Sequence, residues 1–214
     1  MVDNATYRLE KKMDLDTFNL YIDKLKTRNH YMSYKSNGRE NKKYVFLICK
    51  NDYCAKYKPH CIKLTVEYNV HFGTMSIKID GSLRKWYFST KSTQDFSKSK
   101  YIECLRLLSI RICLNLYDLI KSKITNLELG LILMLDSEFR IFMSTLLEHP
   151  RLKIRHSINN ETIMFEGKNL CLKFYDKGKE IFMKTNLTKK GHEKIAKRYF
   201  IVRIEIKFKK ISGV

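Results

Sequence analysis

Residues 62–80 read IKLTVEYNVHFGTMSIKID, and this stretch sets the fold class. Its two runs, 62–70 and 74–80, are rich in β-branched and aromatic residues and alternate between apolar and polar positions. Such alternation places one set of side chains on each face of a half-buried strand. Gly73 and Gly81 punctuate the pair as turn residues. Upstream, YVFLICK at 44–50 reads as a further strand, and 14–28, DLDTFNLYIDKLKTR, as an amphipathic helix. There Leu15, Phe18, Tyr21, Ile22 and Leu25 fall at helical spacing behind Asp14 or Asp16 as N-cap.

Downstream, Leu105, Leu108, Ile112, Leu116 and Leu119 recur at intervals of three and four, which predicts one core helix over 100–121. LELGLILML at 127–135 is an almost continuous apolar run that reads as a strand buried on both faces. Helical periodicity follows over 136–149, capped by Asp136 and stopped by Pro150, then strands near 152–158, 161–166 and 169–176. A short basic helix at 188–198 leads into a last strand, YFIVRIEIKFK. Short turns between strands favour an α+β fold, a mostly antiparallel or mixed sheet packed by helices, over a doubly wound sheet. The chain is expected to form one domain over 1–214, with conceivable halves at 1–125 and 126–214 and no obvious repeat. The segment STKSTQDFSKSK, 89–100, reads as a mobile or DNA-facing loop.

The 214 residues carry 42 Lys and Arg against 22 Asp and Glu, a formal net charge of +20. Self-repulsion of that size points to a polyanionic partner, nucleic acid first. No apolar run is long enough to span a bilayer, and MVDNATYRLEKK lacks the apolar core of a signal peptide, so the expectation is a soluble, cytoplasmic protein without a membrane partner. The six cysteines lack the spacing of a secreted disulfide scaffold and read as thiols. Cys49, Cys54, His60 and Cys61 could hold zinc, although C-x4-C-x5-H-C is not a familiar ligand spacing. P-loop and nucleophile-elbow motifs are absent, as is an H-x-H pair.

Two carboxylates stand in apolar strands, Glu128 in NLELGL and Glu205 in VRIEIKF. Each needs a partner if buried. If they converge they make an oxygen-rich site suited to Mg²⁺ or Mn²⁺; otherwise Glu205 pairs with a lysine across the sheet. Tyr175 ends an apolar strand and is followed by Asp176, Lys177 and Glu180. A tyrosine beside a cation can attack phosphorus, and a strand-end tyrosine can equally be an ordinary edge residue.

The order of motifs adds a further signal. K-x-x-x-S-x-x-K (Lys78, Ser82, Lys85), a Leu-rich helix ending in LYDLI, ITNLELGL, Y-x-K-x-x-E (Tyr175, Lys177, Glu180) and V-R-x-E-x-x-x-K (Arg203, Glu205, Lys209) follow one another. Over residues 73–211 this resembles the gene II/gene X family of replication initiators of filamentous phages and related plasmids. The resemblance implies a Rep- or relaxase-like nuclease domain and a rolling-circle initiator of a bacterial host cell. Such a protein is a metal-dependent DNA nickase that becomes joined through tyrosine to a 5′ phosphate, with host helicase and polymerase as partners. It implies that Tyr175 is the nucleophile, assisted by Lys177, and that Glu128, where the family usually has Asp, and Glu205 are ligands of Mg²⁺ or Mn²⁺. Lys177 and Arg203 become phosphate clamps, and Lys78, Ser82 and Lys85 DNA contacts; independently of the resemblance, the basic cluster of Lys207 and Lys209 marks a further nucleic-acid contact. The alternatives are a non-catalytic DNA- or RNA-binding protein, such as a repressor or replication inhibitor, and a single-strand coat protein stacking bases on Trp86, Tyr87 and Phe88.

Overall fold

The computed structural model describes residues 2–37, 41–50, 60–88, 96–135, 139–146, 150–156, 162–177 and 200–209. These divide into two compact units, the described residues up to Leu127 and those from Glu128 onward. The fold is α+β, and within each unit strands pair antiparallel.

The first unit opens with β1 (Val2–Lys12), α1 (Leu15–Arg28), β2 (His30–Asn37), β3 (Asn41–Ile48), β4 (Ile62–Asn69) and β5 (Thr74–Gly81). It continues with α2 (Leu83–Phe88), α3 (Lys98–Arg111), α4 (Leu116–Ile120) and the start of β6 (Lys123–Leu135). Its strands lie in the order β2-β3-β4-β5-β1. The alternation of 62–80 becomes register: Leu64 faces Ile79, Val66 faces Ile77, and Tyr68 faces Met75. These residues and Tyr7, Phe46 and Ile48 form the buried face, packed with Phe18, Ile22 and Leu25 of α1 and Leu105 and Leu108 of α3. Gly73, at φ 55°, takes the left-handed turn that returns β5 along β4, and its carbonyl accepts from the Met13 amide at 2.9 Å. Asp14, not Asp16, caps α1: the Thr17 amide donates to its carboxylate at 2.7 Å.

In the second unit, β6 is followed by α5 (Phe139–Thr145), β7 (Lys153–His156), β8 (Thr162–Glu166), β9 (Leu170–Asp176) and β10 (Phe200–Lys209), in the order β6-β10-β9-β8-β7. Met143 of α5 packs on Ile163, Phe165 and Val202, flanked by Phe174, Leu172 and Ile204. Both units therefore run strand, helix, three consecutive antiparallel strands, and a last strand that returns beside the first. The repeat is one of topology.

Several expectations change. The helix expected over 100–121 is two, because Cys113 takes a left-handed φ of 55° and Asn115 caps a new helix by accepting from the Tyr117 amide. The run at 127–135 is strand but not buried on both faces: Leu131 and Met134 are exposed. The end of the expected loop 89–100 is structured, with Phe96 buried and Ser97 capping α3, while 89–95 lie outside the described residues. The 188–198 helix and Cys54 of the zinc reading also lie outside them. β1 and β2 were not anticipated. No helix among the described residues is long and apolar enough to cross a membrane.

Candidate active site in the second unit

β10 and β9 place the sequence's candidate residues on one face. Their register sets Arg203 opposite Tyr175 and Glu205 opposite Lys173, so alternation sends all four side chains to the same side. The other side carries Phe174, Val202 and Ile204 into the core under α5. Tyr175 Oη donates to Glu205 Oε1 at 2.8 Å, and Arg203 Nε donates to the same oxygen at 2.9 Å. Lys173 Nζ stands 4.0 Å from Glu205 Oε2 and 4.6 Å from the centre of the Tyr175 ring. Lys177 Nζ lies 5.8 Å from that ring. A phenol hydrogen-bonded to a carboxylate and flanked by ammonium groups has the parts of an activated nucleophile: a proton acceptor in contact and cations for an incoming phosphate.

Arg203 is 2% exposed. That burial overturns its reading as a phosphate clamp, since a guanidinium so enclosed meets Glu205 rather than substrate. Space for it comes from β6: a Cβ on Gly130 would lie 2.6 Å from Nη2 of Arg203. Gly130 thus turns the Cβ side of its backbone toward this face, and Glu128, two residues earlier on β6, shares that side. β6 and β10 are neighbours in the sheet.

Glu205 as arranged is a poor ligand for a hard divalent ion. Glu205 Oε1 already receives two hydrogen bonds, its Oε2 faces Lys173, and a buried guanidinium repels a second cation there. Among the described residues, no group of three or more His, Cys, Asp or Glu comes together.

The face extends along β10. Lys207 lies opposite Cys171, whose thiol pKa is raised by burial, and Lys209 Nζ binds Glu166 at 2.6 Å. Beyond Glu166 is a shallow pocket of about 500 Å³ lined by Arg151, Lys153 and Lys168. Lys78, Ser82 and Lys85 belong to the first unit. Lys78 lies 3.5 Å from Asp80, and the Ser82 hydroxyl accepts from the Lys85 amide at 3.3 Å at the start of α2. Trp86 is buried and donates to the Ile48 carbonyl, so it is a core residue and not a stacking platform. The sequence reading expected a lysine across the sheet from Glu205 without naming it, and register makes it Lys173; Gly130 it missed. Lys173 was within reach, because period-two alternation puts it on the Tyr175 face; nothing local marks Gly130.

Comparison of the chain with family models, with curated proteins and with solved structures found no match.

Proposed function

We propose that the chain is a DNA strand-nicking and joining enzyme of the rolling-circle initiator type, with its reacting centre at Tyr175. The observation that carries the reading is the 2.8 Å hydrogen bond from Tyr175 to Glu205. In the step it supports, Tyr175 Oη forms a bond to phosphorus and the bond from phosphorus to the 3′ oxygen breaks. The phenol proton passes to Glu205 Oε1, and the leaving oxygen takes up a proton to become a 3′-OH. The 5′ phosphate stays on the tyrosine. Lys173 and Lys177 flank the ring where the phosphate charge develops, and Lys207 prolongs the cationic face for the adjoining strand. The net charge of +20 supplies the long-range attraction for DNA.

The test is incubation with supercoiled and single-stranded phage- or plasmid-origin DNA, with and without Mn²⁺, followed by a denaturing gel. The expected result is a covalent protein–DNA adduct that Tyr175→Phe abolishes while DNA affinity is kept. Adduct formation without added metal would agree with the cation-crowded donor set around Glu205. DNA binding without any adduct under either condition would favour the non-catalytic binder, with the Tyr175–Glu205–Arg203 cluster serving only to join β9 to β10.

A further inference from the structure

Arg203 and Gly130 have a role that the motif order does not suggest. The oxygen of Glu205 that accepts from Tyr175 also accepts from Arg203 Nε, and the Arg203 side chain is almost wholly enclosed. Burial of a guanidinium is costly unless it is paired, so the pair with Glu205 is held in one geometry. A glutamate free to turn about its χ angles could instead swing toward Lys173, 4.0 Å from its other oxygen. The Arg203 fork is seated against Gly130, where a Cβ would come within 2.6 Å of Nη2 and 3.1 Å of Cζ. Any larger residue there must push the guanidinium away. The obstructed atoms are the far end of a side chain and not backbone, so the disturbance falls on the Arg203–Glu205 bond before it falls on the fold.

We propose that Arg203 is a positioning residue that fixes Glu205 Oε1 as the proton acceptor for Tyr175, and that Gly130 is the opening in β6 that lets it do so. This deepens the reading of Tyr175 as nucleophile and rests on it. A lysine cannot take over, because it lacks the planar fork that meets a carboxylate in a fixed direction.

The test uses the full chain labelled with ¹³C at the tyrosine Cζ, the Tyr175 signal being assigned by its loss in Tyr175→Phe. Gly130→Ala and Arg203→Lys are compared with wild type for that signal, for folding by circular dichroism, for DNA affinity and for the rate of adduct formation. Both variants are expected to shift the Tyr175 signal in the direction seen in Glu205→Ala and to slow adduct formation about a hundredfold, with DNA affinity unchanged. A Tyr175 signal identical to wild type in the folded variants would overturn the proposal. If Gly130→Ala does not fold, Arg203→Lys decides; loss of folding in both would make Arg203 a structural ion partner only and overturn it as well. If wild type yields no adduct, the nuclease reading fails, while the signal still shows whether Arg203 positions Glu205 against Tyr175.

Discussion

The two units share one order of strands and are held together differently. In the first, Phe46, Ile48, Ile62, Leu64 and Val66 are fully enclosed between the sheet and helices α1 to α3. Its polar face carries exposed ion pairs, Lys43 with Glu67 and Lys78 with Asp80, each worth at most about 1 kcal/mol. In the second, the buried described residues of the core are Met143, Ile163, Phe165 and Val202, and a buried arginine stands on the polar face. One unit is stabilised by apolar packing and tolerates changes on its open face. The other has four buried core residues among those described and places an ion pair where its proposed chemistry is, so that face carries structural weight as well.

Phe46→Ala should have the largest effect, about 3–5 kcal/mol, and confined to the first unit. The single tryptophan, Trp86, lies in that core and reports it directly, so denaturant titration followed by its fluorescence measures the loss. Glu205→Ala should cost about 3–5 kcal/mol as well, by leaving the Arg203 guanidinium buried without its carboxylate. Followed by far-ultraviolet circular dichroism, this loss should appear with little movement of the Trp86 transition. A Trp86 transition that shifts as far as the overall one would break the contrast between the units.

Tyr175→Phe removes one hydrogen bond from an oxygen that keeps a second, and should cost about 1 kcal/mol in the same titration. Lys43→Ala should cost less than that, since both it and Glu67 are about half exposed. A large effect at Lys43 would mean that the polar face of the first unit is not the permissive surface described.

The smallest effect is pH dependence at the α1 cap. The Thr17 amide, followed by its hydroxyl, holds the Asp14 carboxyl below its ordinary value. The cap therefore contributes fully above the ordinary carboxylate range and is lost as pH falls through the lowered value. Melting temperatures of wild type and Asp14→Ala should differ at neutral pH and converge in acid; a constant difference would remove Asp14 as the titrating cap. Burial pushes the Cys104 thiol up to about 12, so at pH 8 this residue should resist alkylation in the folded chain and react once it is denatured.

What could be read from the chain varied with how local its cause is. The 62–80 hairpin, α1, β9 and β10 followed from alternation or helical spacing, because each is an amphipathic element with a strong period. β1 escaped notice although Ala5, Tyr7 and Leu9 alternate with Thr6, Arg8 and Glu10, since Asp3 and Asn4 and the many charges mask a weak apolar face. The break at Cys113 was hidden for a different reason: Leu, Ile and Leu continue at helical spacing through a left-handed residue, and hydrophobic period does not register φ.

The sequence by itself determined the α+β class, the excess of positive charge and the choice of Glu128 and Glu205 as carboxylates out of keeping with their apolar strands, with Tyr175 marked by the order of motifs. These depend on residue type and on spacing along the chain. Only the tertiary structure decided that Tyr175 and Glu205 meet, that Lys173 joins them, and that Arg203 turns inward against Gly130. Those contacts join residues 30 to 73 positions apart, and cross-strand register selects them. A one-residue slip of β10 would send Arg203 and Glu205 to the face opposite Tyr175 and Lys173.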